Sequence, residues 1–331
     1  LFDKPYILNP AEADKIYADP ENEKISRKAS YESIILLKND DHFLPLKKDE
    51  IKNILITGPN ADNKVLSLSR YGPKKIDYKS VEEAFREKLG PDINIMYSKG
   101  CGIKDSNWPG SELIPSDPSD VEMAEINDAV AKAQKADVVV LVLGEDNSIV
   151  GESESRTSLN LAGNQELLLE KICETGKPVV LVLMNGRAIT INRAQRDCKS
   201  IIEAWFPGRY GGEAIADIVF GDYNPGGKLT VTFPKSVGQI PMCFPFKPGA
   251  QADAETTVNG VLYPFGYGLS FTEFEYSNLK ISPEKQNAGG KVEVSVDVKN
   301  TGSMTGDEVV QLYIRDEVSS VIRFEKELRG F

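Results

Sequence analysis

Five apolar blocks punctuate the first two thirds of the chain, at residues 53–57 (NILIT), 93–97, 138–143 (VVVLVL), 179–184 (VVLVLM) and 200–204 (SIIEA). Each is short, rich in Val, Ile or Leu, and without the polar alternation of a one-sided sheet. The runs at 138–143, 179–184 and 200–204 predict strands buried on both faces, and 53–57 and 93–97 are read as short strands. Between them the period changes to that of helices. In residues 121–136, Met123, Ile126, Val130 and Ala133 fall on one face. Residues 25–38, 80–89, 163–175 and 211–220 are read as further helices, with Ser80 as an N-cap ahead of Glu82 and Glu83. Strand and helix in alternation predict an α/β fold with a mostly parallel sheet sandwiched by helices.

From Gly221 the texture becomes dense in Gly, Pro and aromatics. Segments 221–234 and 260–274 are read as extended pieces along the sheet, their aromatics as packing groups. Strict period-two alternation then appears in KVEVSVDV (291–298), followed by a turn at Asn300-Thr301-Gly302 and a second strand at 309–314. This is half-buried antiparallel sheet of β-sandwich type. About fifty residues remain after Tyr276, against the ~100 of a full sandwich. A partial antiparallel β-sandwich with no closing strands at 327–331 is therefore expected. The resulting division is a linker at 1–24, an α/β sandwich at 25–275 and a truncated β domain at 276–331.

Charge and composition narrow the chemistry. The chain of 331 residues carries a net charge of −11. That leaves no basic face for nucleic acid and disfavours an anionic membrane surface. No apolar run reaches the ~18 residues of a membrane-spanning helix. LFDKPYILNP at the start lacks the n- and h-regions of a secretory signal. The four cysteines are widely spaced, with no C-x-x-C, and imply neither a disulfide framework nor zinc. His42 is the only histidine, so a site of several histidines is excluded, and no G-x-S-x-G elbow accompanies it. No G-x-G-x-x-G follows a strand. GDYNPGGKLT fails the phosphate-loop spacing, with Asp222 where a glycine is needed and Leu229 after Lys228.

The candidate chemistry lies in the loop that leaves the 138–143 strand: GEDNSIVGESESRTSLNL, residues 144–161. Ligands of open parallel sheets bind beyond the carboxyl ends of strands. Loops longer than about a dozen residues are usually functional or disordered. Glu145 is tethered next to the strand and is read as structural or as a supporting contact behind the site. Glu152, after Gly151, is free to project into a cleft, Glu154 stands two residues on, and Arg156 can pair with either. A carboxylic acid in a partly dry cleft can deliver a proton near neutral pH, as glycoside hydrolysis requires. A solvated acidic loop is the plain alternative.

Several stretches together resemble the C-terminal half of glycoside hydrolase family 3, of its periplasmic β-glucosidase type. They are SIILLKNDDHFLPL (33–46), ITGPNAD (56–62), GESESRT (151–157), WFPGRYGGEAIADIVFGDYNPGGKLTVTFP (205–234) and YPFGYGLSFTEFEYS (263–277). The tail VSVDVKNTGSMTGDEVVQLYI (294–314) resembles that family's fibronectin type III-like domain. The resemblance implies a retaining exo-β-glycosidase acting on terminal β-D-glucosides, with β-xylosidase as the near variant. The nucleophilic aspartate would sit in an N-terminal TIM barrel, and LFDKPY resembles the exit from that barrel. The resemblance places the acid/base on Glu152 and a sugar-flanking aromatic on Tyr71, although Ser69-Arg70 precede it where the family more often has Gly. It leaves Arg156 as a substrate-binding or loop-orienting residue. It implies no metal or cofactor, an oligosaccharide or small β-glucoside as substrate, the barrel as partner, an allowed homodimer, and a periplasmic or secreted location. By itself the chain is expected to hydrolyse no glycoside. A catalytically incomplete carbohydrate-binding module and a scaffold for a separately encoded barrel are the readings from other classes.

Overall fold

The computed structural model describes residues 3, 9–17, 19–64, 71, 78–248 and 258–331. A six-stranded sheet runs in the order β1-β6-β5-β4-β2-β3. Its members are β1 (Ile35–Asn39), β2 (Asn53–Thr57), β3 (Asn94–Ser98), β4 (Val138–Gly144), β5 (Val179–Met184) and β6 (Ser200–Glu203). All neighbours are parallel except the edge strand β1, which pairs antiparallel with β6. Every residue of β4, β5 and β6 is buried. The reason is that their side chains alternate between two separate cores. Val138, Val140 and Val142 join one, and Val139, Leu141 and Leu143 the other.

The first core is roofed by α2 (Pro20–Glu32), α3 (Val81–Leu89) and α7 (Gly211–Val219). The second is roofed by α4 (Asp120–Ala133), α5 (Gln165–Cys173) and α6 (Asn192–Asp197). Both α3 and α4 start with complete capping boxes, Ser80 with Glu83 and Ser119 with Glu122. The expected α/β sandwich is thus present, with small antiparallel sheets after it. These pair β7 (Phe274–Ser282) with β8 (Glu293–Asn300), and β9 (Leu312–Ile314) with β10 (Glu327–Gly330).

Four details differ from the sequence reading. Residues 25–38 are not one helix: α2 ends at Glu32 and β1 begins at Ile35. Pro20 at the first helical position and the Asp19 side chain, accepting from the Glu21 N–H at 3.0 Å, start the helix earlier. The unbroken Ile34–Leu37 run would cover every side of a helix. As a strand it feeds both cores, Leu36 into one and Ile35 and Leu37 into the other. The stretch read as linker contains α1 (Pro10–Tyr17) and the start of α2. The strand β7 is hidden by a bulge. Asn278 has φ 55° and the register shifts between Ser277 and Lys280, so the apolar phase slips from Phe274 and Tyr276 to Leu279 and Ile281. Finally, residues 327–330 form a strand paired antiparallel with β9, where no closing strand was expected.

Candidate active site

Strand order reverses between β2 and β4, which is where open α/β sheets commonly hold a ligand. Here backbone fills that crevice. A Cβ on Gly58 would lie 2.1 Å from the Val142 carbonyl oxygen. The Asn60 N–H bonds that same oxygen at 3.3 Å, and the Asn60 side chain donates to the Glu145 carbonyl at 3.3 Å. The loop singled out from the sequence leaves β4 directly beyond these contacts, at Glu145.

That loop divides its carboxylates by role. Glu145 is 1% exposed. Its backbone N–H bonds the Met184 carbonyl at 2.8 Å, which holds it against β5. Its side chain faces the Arg156 Nη1 at 3.3 Å and the Arg187 Nε at 3.0 Å, and accepts from the Gly186 N–H at 3.2 Å. Asp146 is used locally, accepting from the Ser148 N–H at 2.8 Å and the Ser148 hydroxyl at 2.6 Å. Glu152 is exposed at the loop tip, beyond Gly151 at φ 128° and beside Ser153 at φ 69°. The Tyr71 hydroxyl accepts a 3.0 Å bond from the Glu152 N–H. Tyr71, the sequence-predicted aromatic, is thus brought to the predicted acid/base residue. The dry surroundings expected for Glu152 are not supplied by the described residues.

Arg156 lies elsewhere than on the loop surface. Its side chain is 3% exposed, and its Nε donates to Glu112 at 2.6 Å. Glu112 also accepts from the Thr157 N–H at 3.2 Å. The guanidinium stacks 5.6 Å from the Trp108 ring centre. It pairs with Glu112 and Glu145, not with the Glu152 or Glu154 weighed from the sequence. The pair Arg156–Glu112 forms one wall of a polar cavity of 280 Å³ that Asn160, Glu166 and Arg193 also line.

Sequence reasoning missed four groups around the loop. Arg187 donates to the Ile149 carbonyl at 2.8 Å and pairs with Glu145. Glu112 lies between β3 and α4, in a stretch without a periodic apolar pattern. Gln165, fully buried, holds the exit from β4 by accepting from the Gly144 N–H and donating to the Gly144 carbonyl, both at 2.8 Å. Glu203, fully buried at the end of β6, accepts from the Trp205 N–H at 2.9 Å and from Asn185 at 3.3 Å. Burial pushes its carboxyl well above the usual range, with nearby Glu145 adding to the rise. A Glu closing an apolar strand, as in SIIEA, was the one signal available. Among the described residues no group of three His, Cys, Asp or Glu could hold a metal ion. No helix among them is long and apolar enough to cross a membrane.

The profile of the glycosyl hydrolase family 3 C-terminal domain matches residues 34–271. The chain belongs to glycosyl hydrolase family 3. Among curated family 3 relatives, a periplasmic β-glucosidase of Salmonella typhimurium is 39% identical over all of this chain and 46% of its own length. A β-xylosidase of Formosa agariphila is 38% identical over 94% of this chain and 42% of its own length. A solved β-glucosidase of Erythrobacter marinus superposes with a TM-score of 0.86 at 35% identity, over 99% of this chain and 45% of that one. The chain therefore spans a little under half the length of these relatives.

Proposed function

We propose that this chain supplies the general acid/base of a retaining exo-β-glycosidase, and that Glu152 is that residue. The observation that carries the reading is the fate of the loop's carboxylates. Glu145 is locked in ion pairs and Asp146 in a turn, while Glu152 stands exposed at a tip that buried groups anchor on both sides. In such an enzyme two carboxyl groups stand about 5–5.5 Å apart across the scissile bond. One attacks the anomeric carbon. Glu152 would protonate the leaving oxygen and then deprotonate the water that releases the glycosyl-enzyme intermediate. The nucleophile, an aspartate of a barrel domain outside this chain, would close the cleft over Glu152 and exclude water from it. On this reading the isolated chain hydrolyses no glycoside, and no metal takes part.

The substrate proposed is a terminal β-D-glucoside. Solved relatives from Listeria innocua are described in complex with glucose and with laminaribiose. A β-xyloside is the second reading, favoured by the comparable identity to the Formosa enzyme. A periplasmic location is proposed from the Salmonella relative's name. The sheets β7–β8 and β9–β10 are proposed to belong to a fibronectin type III-like domain.

The test uses Glu152→Ala in the full-length protein. An activated aryl β-glucoside, which needs little protonation, should still be cleaved, and a disaccharide should not. Added azide should yield β-glucosyl azide. If both substrates are cleaved as before, the assignment is wrong, and Glu154 becomes the candidate.

A further inference from the structure

Two chains of charge converge on the loop from opposite sides. On the entry side, Arg187 ties the Ile149 carbonyl to Glu145. On the exit side, Glu112 holds both the Arg156 side chain and the Thr157 N–H. Arg156 joins the two sides by facing Glu145 at 3.3 Å. The Glu112, Arg156 and Glu145 side chains are 7%, 3% and 1% exposed. Burial of this order makes the network an all-or-none arrangement, because removing one partner leaves another charge in low dielectric. Only residues 150–155 are left between the anchors, with Glu152 near their middle. Within that tip the Glu152 N–H bonds the Tyr71 hydroxyl and the Glu154 N–H the Gly151 carbonyl, and its C-terminal end is fixed by a carboxylate from a different loop, one after β3 rather than β4.

We propose that Glu112 is a positioning residue for Glu152, acting through Arg156 and the Thr157 N–H. The proposal rests on the reading of Glu152 as the acid/base. Glu112 itself touches no reacting atom. Its role is to hold the loop at the distance from which the Glu152 carboxyl reaches a leaving oxygen. A displacement of about 1 Å at such a residue can cost about 100-fold in rate. The cost should fall on substrates that need the proton.

Glu112→Gln keeps the side chain's shape but removes the charge that faces Arg156. Arg156→Lys keeps a charge but cannot fork to both Glu112 and Glu145. Two measurements are made on each. In the chain as described here, hydrogen exchange of the amides of 150–157 should speed up, while those of β4 and β5 remain protected. In the full-length protein, turnover of a disaccharide should drop about 10- to 100-fold, and turnover of an activated aryl glycoside should change little. Unchanged exchange at 150–157 in both variants overturns the proposal. Faster exchange with equal losses on both substrates also overturns it, because Glu112 would then be structural only. If Glu152→Ala itself spares the disaccharide, the acid/base reading fails, and this proposal fails with it whatever the exchange shows.

Discussion

Replacing Gln165 by leucine tests how the exit from β4 is held. Gln165 is the first residue of α5, fully buried, and its amide does what a neighbouring strand would do. Its Oε1 accepts from the Gly144 N–H at 2.8 Å, and its Nε2 faces the carbonyls of Gly144, Ala162 and Ile103 at 2.8, 3.2 and 3.3 Å. Leucine has nearly the same bulk, so packing changes little. The Gly144 N–H and the carbonyls of Gly144 and Ile103 lose a side-chain partner. Each buried group left unpaired costs about 1–3 kcal/mol, and partial relaxation brings the sum to about 3–5 kcal/mol. For a domain of this size that is a fall in melting temperature of about 6–20 °C. Gln165→Glu separates hydrogen bonding from bulk. Its carboxylate would face three carbonyl oxygens, so the folded state would hold the proton that the unfolded chain releases above a pH of about 4.3. Such a raised pKa gives stability that is present at low pH and lost as pH rises through the folded value. Thermal melts followed by circular dichroism at pH 4 and pH 8 check both variants. A leucine variant within about 0.5 kcal/mol of the parent, the scatter of surface substitutions, refutes the reasoning. So does a Glu variant whose stability ignores pH.

The same sign applies to Glu203, whose burial raises its pKa, so Glu203→Gln should stabilise the fold at pH 8 and flatten the loss of stability above a pH of about 4.3, read from urea midpoints across pH. Leu141, fully buried in the centre of β4, should cost about 3–5 kcal/mol on replacement by alanine, measured by urea unfolding. Gly58→Ala should be far more damaging than Gly110→Ala in the same melts: at φ 111° its Cβ would meet the Val142 carbonyl at 2.1 Å, whereas nothing lies within 4 Å of a Cβ on Gly110.

Much of the fold is written locally. The runs 138–143 and 179–184 are apolar at every position, so any arrangement that buries them needs cover on both faces. Ser80 marks a helix start because its own side chain accepts from the Glu83 N–H, one of the donors that a first turn leaves unpaired. The extended run of residues carrying the resemblance to family 3 was equally legible, and it led to Glu152. Where local pattern competed with itself, sequence reasoning failed. The Ile34–Leu37 run could continue a helix or start a strand, and pairing with β6 decided for the strand. The bulge at Asn278 shifted the period of β7 and concealed it.

What only tertiary structure decided is which charges meet. Arg156 is four residues from Glu152 in sequence, yet the groups that bury with it are Glu112 and Glu145. Glu112 is 44 residues away, in a segment with no periodic signal. Apolar burial is non-directional and sums along a segment, so it can be read from a window of residues. An ion pair depends on two atoms coming within about 4 Å, and that distance is set by how the parallel strands β3, β4 and β5 bring their following loops to the same end of the sheet.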